Sequence, residues 1–106
     1  MSKKRVGQIE QRIDRIKKEL VEIDSMRPGS LTRQYKDPKN RTGAYWQISY
    51  TRQMKSRTEY VRRESVKELR SQIKTHKRFK RLVDQWIELG IEQSKLAMRI
   101  AEKKTT

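Results

Sequence analysis

Three stretches of the chain differ in how apolar and polar positions alternate. In the first, apolar residues recur at alternating steps of three and four from Val6 to Ile23, which is the a/d pattern of a heptad helix. Pro28 and Gly29 follow, and proline cannot continue a helical hydrogen-bond ladder. The pattern predicts an N-terminal helix within residues 1–26 whose apolar seam needs a partner helix.

The second stretch, residues 27–63, combines turn residues with a strand-like alternation. Trp46, Ile48 and Tyr50 alternate with polar residues, which is the period of two that a half-buried strand shows. A second short strand follows the polar turn at 52–55. We therefore expect a two-stranded antiparallel hairpin that packs one side on a helix. The pattern does not decide whether the preceding loop contains a third strand. The other side is expected to show Gln47, Ser49, Thr51 and Arg57, with Glu59 as its acid.

The third stretch, residues 64–104, contains no proline and a single glycine, Gly90. Ser65 followed by Glu68 is typical of a capping box, so one helix of about 40 residues is predicted. Its second half repeats apolar residues at heptad spacing, and we expect it to pair with the first helix, within one chain or between two copies. The residues expected to join helices or copies are Ile9, Ile13, Ile16, Leu20, Trp86, Leu89, Leu96 and Ile100.

The expected fold is thus mainly α with a small β-hairpin and coiled-coil-like helix pairing. The chain has 106 residues, which corresponds to one domain, and an apolar share of 32% argues against a large single core. Cysteine is absent, which excludes disulfides and thiolate metal sites and fits a reducing compartment. No apolar run is long enough to span a membrane, so we expect no membrane partner and a cytoplasmic location.

The net charge of the chain is the strongest indication of its partner. The chain has 28 Lys and Arg against 13 Asp and Glu, a net charge of +15 that favours polyanionic partners. On the predicted last helix, six basic residues between Lys67 and Arg81 fall within an arc of about 100°. A solvated face is the ordinary explanation of a charge run, but acids that could relieve the repulsion are almost missing here. The expected nucleic-acid-binding residues are Gln47, Ser49, Arg52, Lys55, Arg57, Arg62, Arg63, Lys67, Arg70, Lys74, Lys77, Arg78 and Arg81. Of these, Gln47, Ser49, Arg52 and Arg57 are expected to contact bases, and the residues of the helix are expected to contact phosphates.

These observations favour a non-enzymatic nucleic-acid binder. No nucleophile, base and orienting acid can be assembled from the sequence, and neither a metal site nor a cofactor motif is present. The leading hypothesis is a dimeric DNA-binding accessory or regulatory protein. One alternative is a coiled-coil adaptor or inhibitor that docks on an acidic protein. Another is an RNA binder that stacks bases on Tyr45, Trp46 or Tyr50.

Three sequence blocks resemble a family of small uncharacterised prokaryotic proteins, a domain of unknown function. The blocks are RPGSL at 27–31, GAYWQISY at 43–50 and RTEYV at 57–61. Proteins that resemble this pattern are often associated with mobile genetic elements, which implies a recombination or transposition cofactor, a transcriptional regulator, or a partner of a recombinase. Many relatives carry a cysteine cluster where this chain has KDPKNR at 36–41, so no metal site is implied. The hairpin followed by a helix is also similar to the arm-binding domains of integrases.

Overall fold

The structure, a computed structural model, describes residues 2–105. Its elements in chain order are α1 (Ser2–Val21), β1 (Ser30–Asp37), β2 (Thr42–Arg52), β3 (Lys55–Val61), a short 3₁₀ turn (Arg63–Ser65) and α2 (Val66–Thr105). The predicted fold class is therefore confirmed: an N-terminal helix, a small antiparallel sheet and one long C-terminal helix. The sheet has three strands, so the strand that the sequence left open is present as β1.

The elements form two compact units, and α2 contributes to both. The helical unit comprises Met1–Ile23 and Arg78–Thr106, and the sheet unit comprises Asp24–Lys77. The three segments of the sequence correspond to α1, the sheet with its turns, and α2. The units divide the chain differently because the first part of α2 packs on the sheet and the rest packs on α1.

In the helical unit, the heptad seam of α1 is buried against α2. Ile9, Ile13 and Ile16 form one cluster with Leu82 and Leu89, and each of the five is at most 7% exposed. Leu20, Ile23 and Leu96 pack against this cluster. The pairing occurs within one chain, which is one of the two arrangements that the sequence left open. An interface between copies through these buried isoleucines would first require α1 to separate from α2.

Polar contacts support the same pairing. The guanidinium of Arg5 donates to both carboxylate oxygens of Glu92, with nitrogen–oxygen distances of 2.6 and 2.8 Å. Such bidentate pairs are among the stronger charge-assisted contacts. Lys17 lies 5.4 Å from the ring centroid of Trp86, which is 36% exposed. Trp86 thus borders the helix pair and is not part of its buried cluster.

The sheet unit has a second, separate core. Ile48 of β2 is fully buried and packs with Val61 of β3 and with Val66, Leu69 and Ile73 of α2. The strand order is β1-β2-β3, and both neighbouring pairs are antiparallel. The apolar side of the sheet therefore lies on the first turns of α2, as predicted for the hairpin.

Two tight backbone positions shape the sheet unit. Gly29, with φ of +137°, precedes β1, and a Cβ atom there would lie 2.9 Å from Cγ1 of Ile48. The turn between β2 and β3 has positive φ at both Gln53 and Met54. Positive φ at both central residues is the geometry of the two-residue hairpin turn that matches strand twist. This turn sets the register that decides which side chains share a face.

Candidate nucleic-acid interface

The strand register sorts the side chains of the sheet onto two faces. Directly opposed residues share a face in an antiparallel pair, and neighbours along a strand alternate. Leu31 is paired with Ile48, and Ile48 is paired with Glu59. These positions mark the face that packs on α2, which we call the helix-side face. The other face is called the open face.

The open face consists almost entirely of uncharged polar side chains. Within the three strands, all of which the structure describes, it carries one charged residue, Lys36. Hydroxyl groups pair across the strands at Ser49 and Thr58, 3.2 Å apart, and at Thr51 and Ser56, 3.3 Å apart. The remaining residues of this face are Ser30, Thr32, Gln34, Gly43, Tyr45, Gln47 and Tyr60.

The predicted open face was therefore right for Gln47, Ser49 and Thr51 but wrong for Arg57 and Glu59. The register pairs Arg57 with Tyr50 and Glu59 with Ile48, which places both side chains on the helix-side face. The reason is the length of the β2–β3 turn. Because two residues separate Arg52 from Lys55, these two pair directly, and this pairing determines which residues of β3 share a face with those of β2. The two groups of predicted base-contacting residues consequently lie on opposite faces of the sheet.

One cationic site surrounds Trp46, a residue of the helix-side face. Arg33 of β1 is the cross-strand partner of Trp46, and Cζ of Arg70 on α2 lies 5.0 Å from the centroid of the Trp46 ring. Arg33, Arg63 and Trp46 line a cleft of about 330 Å³, together with Ala44, Tyr45, Tyr60 and Val61. No acidic residue lines this cleft. We call Arg33, Trp46, Arg63 and Arg70 the Trp46 cluster.

The arginines of the Trp46 cluster have no acidic partner among the side chains that the structure describes. The ion pairs found there join Arg5 to Glu92, Arg27 to Glu59 and Arg78 to Glu19. Arg33, Arg63 and Arg70 belong to none of them, and all three are exposed. Their charges are therefore available to an external anion, with the Trp46 ring as a flat platform beside Arg70.

The remaining predicted cations fall into three places. Lys67, Lys74 and Lys77 are exposed on the first part of α2, and Arg62 is exposed just after β3. Arg52, Lys55 and Arg57 gather at the β2–β3 turn, six residues along β2 from Trp46, or about 20 Å at the usual strand rise. The predicted stripe on the last helix is thus divided between the units, since its last two members, Arg78 and Arg81, belong to the helical unit.

Unlike the arginines of the Trp46 cluster, Arg27 already has an acidic partner within the protein. It pairs with Glu59, and its Cζ lies 5.3 Å from the ring centroid of Tyr50. The Tyr50 hydroxyl donates to Glu59 at 2.6 Å, and this hydrogen bond, followed by that from Arg27, lowers the pKa of Glu59 below its ordinary value. Tyr50 is therefore engaged inside the protein and is a poor candidate for base stacking.

The net charge of the sheet unit agrees with its many exposed cations. The sheet unit contains 14 Lys and Arg against 5 Asp and Glu, a net charge of +9 out of +15 for the chain. Among the described residues, no group of three or more His, Asp or Glu could hold a metal ion. Neither of the two helices, over residues 2–105, is both long and apolar enough to cross a membrane.

Sequence reasoning found most of these cations but missed the Trp46 cluster as a unit. It assigned Arg63 and Arg70 to nucleic acid, named Trp46 only as a stacking residue of the RNA-binding alternative, and left Arg33 out of the expected binding residues. Arg33 and Trp46 meet only through the β1–β2 register, and Arg70 joins them only because α2 packs on the sheet. No spacing in the sequence carries that signal, since 37 residues separate Arg33 from Arg70.

Comparison with known proteins places the chain in a family without assigning a role. No curated protein and no solved structure matches it. A family described as a domain of unknown function, DUF6788, matches residues 6–71, which include most of α1, the whole sheet and the start of α2. Nothing in that match links the chain to mobile elements or to integrase arm-binding domains. Since the match covers more than half of its length, the chain belongs to this family of unknown function, DUF6788.

Proposed function

We propose that this protein is a non-enzymatic nucleic-acid-binding protein that holds duplex DNA through the cationic surface of its sheet unit. The observation that carries the proposal is the Trp46 cluster. Two exposed arginines, Arg33 and Arg63, line a cleft with Trp46 that contains no acid, and the guanidinium of a third, Arg70, lies over the Trp46 ring. Guanidinium groups gathered in this way repel one another, and a bridging phosphate relieves that repulsion with charge-assisted hydrogen bonds.

The distribution of the other cations supports a duplex as the ligand. A second group at the β2–β3 turn lies about 20 Å along β2 from the Trp46 cluster, and long basic side chains extend that reach. Duplex DNA carries one negative charge per about 1.7 Å of its axis, so two cationic groups at this separation can both contact phosphates of one duplex. Lys67, Lys74 and Lys77 add further positive charge on α2.

Phosphate contacts, and not base contacts, carry the proposal. Gln47 and Ser49 were expected to contact bases, but they lie on the open face, away from Arg52 and Arg57. Contacts to phosphates fix position and supply affinity without reading sequence. We therefore propose a binding mode that depends strongly on salt and weakly on base sequence.

The cellular role that we propose is that of an accessory or regulatory protein. A recombination or transposition cofactor of a mobile element, with a recombinase as protein partner, or a transcriptional regulator, would use such a binding mode. This part rests on the sequence resemblance alone.

One observation favours a second candidate, a protein that binds single-stranded nucleic acid such as RNA. Tyr45 and Tyr60 lie on the open face, and Tyr60 is 71% exposed. Exposed aromatic rings on a sheet can stack unpaired bases, each for about 1–3 kcal/mol. On this hypothesis, Tyr45→Ala and Tyr60→Ala reduce affinity for a single strand much more than they reduce affinity for a duplex.

The test is fluorescence anisotropy with labelled duplex DNA, single-stranded DNA and duplex RNA over a salt series. The cluster variant carries Arg33→Gln, Arg63→Gln and Arg70→Gln. The matched control carries Lys4→Gln, Arg15→Gln and Lys18→Gln, which remove the same charge from exposed positions of α1.

We expect duplex DNA to bind most tightly, and the cluster variant to lose about 2.7 from the slope of log affinity against log salt, since each phosphate contact contributes about 0.9. The control should lose much less. Equal losses in both variants would mean that only net charge matters and would contradict the proposed site. If no nucleic acid binds at physiological ionic strength, the proposal fails, and an acidic protein becomes the partner to seek.

A further inference from the structure

β3 is an edge strand of the sheet. The strand order is β1-β2-β3, so one side of β3 pairs with β2 and the other side has no strand beside it among the described residues. The pairing with β2 runs without interruption from Lys55 to Val61. Natural proteins often protect such an edge with a proline, a bulge or a covering element. β3 has no proline and no bulge, and its residues before Val61 are all exposed.

The strand register identifies the backbone groups of β3 that point outward. In an antiparallel pair, hydrogen-bonded and non-hydrogen-bonded residue pairs alternate. Arg52 and Lys55 flank a two-residue turn and therefore form a hydrogen-bonded pair, so every second residue of β3 from Lys55 onward bonds to β2. The N–H and C=O groups of Ser56, Thr58 and Tyr60 point away from the sheet. Within the part of the chain that the structure describes, these groups make no backbone hydrogen bond outside the sheet.

We propose that β3 pairs with β3 of a second copy of this chain, antiparallel and centred on Thr58. Thr58 is the middle residue of the strand, so this register pairs all seven residues. Thr58 meets Thr58 of the copy, and Ser56 meets Tyr60 of the copy. These are the residues with outward backbone groups, so the register forms the hydrogen-bonded pairs that an antiparallel ladder requires. The three strands of each copy then join in one continuous sheet around a two-fold axis.

The charges of β3 select this register. Arg57 comes opposite Glu59 of the copy, and the two-fold axis forms this pair twice. It is a non-hydrogen-bonded pair, in which Cα atoms are about 4.5 Å apart and side chains lie closest. Moving the centre to Arg57 would bring this residue opposite itself, and moving it to Glu59 would bring two carboxylates together. Opposite charges stabilise a cross-strand pair and like charges destabilise it, so the centre at Thr58 is favoured.

Both charged side chains can take part in the pair. Arg57 is exposed and forms no ion pair with any described side chain of its own chain. Glu59 accepts one hydrogen bond at each carboxylate oxygen, from Tyr50 and from Arg27, and each oxygen can accept another. The side chain of Glu59 is 48% exposed. The second copy thus gives Arg57 the acidic partner that its own chain does not.

The net charge of the sheet unit sets the expected strength of the dimer. This charge is +9 and opposes association, so we expect a weak, reversible dimer. At about 0.15 M salt, charges more than about 8 Å apart are largely screened, whereas the opposed side chains of the strand pair are closer than that. The dimer needs no nucleic acid, and its test is independent of the proposed function.

The first experiment is sedimentation equilibrium of the full chain without nucleic acid, from micromolar to millimolar concentration at that salt. Thr58→Pro should keep the chain monomeric, because proline removes an outward N–H at an edge position where the single chain tolerates it. Thr58→Ala is the matched control, since it removes the same hydroxyl contact with Ser49 but keeps the N–H, and it should still dimerise. A parent chain that stays monomeric throughout, or a dimer that survives Thr58→Pro, would overturn the proposal.

A charge variant tests the register without changing the backbone. Arg57→Glu should weaken the dimer about tenfold, because two pairs of like charges replace two pairs of opposite charges. Arg57 has no ion pair within its own chain, so the single chain should keep its fold. Adding Glu59→Arg to Arg57→Glu should restore much of the association, since opposite charges face each other again. Unchanged association in Arg57→Glu would refute the register centred on Thr58.

The second experiment is amide hydrogen exchange followed by NMR at low and high protein concentration. The amides of Arg57 and Glu59 should be protected at every concentration, because they bond to β2 within one chain. The amides of Ser56, Thr58 and Tyr60 should exchange freely in dilute solution and become protected as the concentration rises. If these three amides stay unprotected at concentrations where the chain is dimeric, the copies do not meet through β3 and the proposal is wrong.

Discussion

Replacing Gly29 by alanine should destabilise the sheet unit. Gly29 has a φ of +137°, a conformation that residues with a Cβ atom rarely adopt. The added Cβ would lie 2.9 Å from Cγ1 of Ile48 and 3.0 Å from the carbonyl oxygen of Ser49. Ile48 is fully buried in the centre of the sheet core, and the Ser49 carbonyl belongs to the backbone, so neither neighbour can move aside easily.

The magnitude follows from two separate costs. Holding a residue with a Cβ in a region reserved for glycine costs on the order of 1–3 kcal/mol. Overpacking against a buried isoleucine and a fixed carbonyl adds about 1–3 kcal/mol. We therefore expect a loss of roughly 2–6 kcal/mol, which is a large part of the ~5–15 kcal/mol that stabilises a typical domain. Gly90→Ala is the matched control, because Gly90 lies in a helix with free space and should gain about 1 kcal/mol.

The assay is urea unfolding followed by tryptophan fluorescence in a Trp86→Phe background, where emission reports only Trp46 of the sheet unit. Gly29→Ala should lower the midpoint by roughly 1–2 M, given a slope of about 1–3 kcal/mol per molar urea for small proteins. Gly90→Ala should leave this midpoint unchanged or raise it. If the Trp46 midpoint does not move in Gly29→Ala, the close approach of the chain to Ile48 is wrong.

Two further predictions concern the β2–β3 hairpin. Replacing the turn pair Gln53 and Met54 by Asn and Gly should add about 1 kcal/mol to the free energy of unfolding and so raise the same urea midpoint, since Asn-Gly adopts positive φ at both positions more readily. An unchanged or lower midpoint would contradict the turn geometry. The lowered pKa of Glu59 means that its contacts with Tyr50 and Arg27 add stability above the ordinary glutamate pKa, and that this stability is lost as pH falls through the lowered value. Glu59→Gln should therefore flatten the acid limb of a plot of urea midpoint against pH, and an unaltered limb would show that this contact is not formed.

The helices and the central strand could be predicted because their signals are local. The heptad steps of α1 and the alternation of Trp46, Ile48 and Tyr50 each arise because one element packs one of its sides on an apolar partner. β1 was harder to predict, because Arg33 occupies a position that faces the same side as Leu31 and breaks the apolar alternation. A strand whose apolar side carries an arginine resembles a polar loop in the sequence.

The site was only partly predictable for a related reason. Its cations were visible as charge without compensating acids, but their arrangement depends on pairings between distant segments. The face of Arg57 depends on a turn of two residues in place of a longer one. The meeting of Arg33, Trp46 and Arg70 depends on strand register and on helix packing together. Neither pairing follows from composition or periodicity.

The most direct test of the nucleic-acid proposal uses the two tryptophans as internal reporters. One indole, Trp46, lies in the Trp46 cluster, and the other, Trp86, lies in the helical unit. Their two indole N–H signals in an NMR spectrum can be assigned with Trp86→Phe and then followed as duplex DNA is added. We predict that the Trp46 signal shifts in a saturable way that salt reverses, while the Trp86 signal stays in place. A shift confined to Trp86, or binding of DNA without any change at Trp46, would contradict the proposed interface.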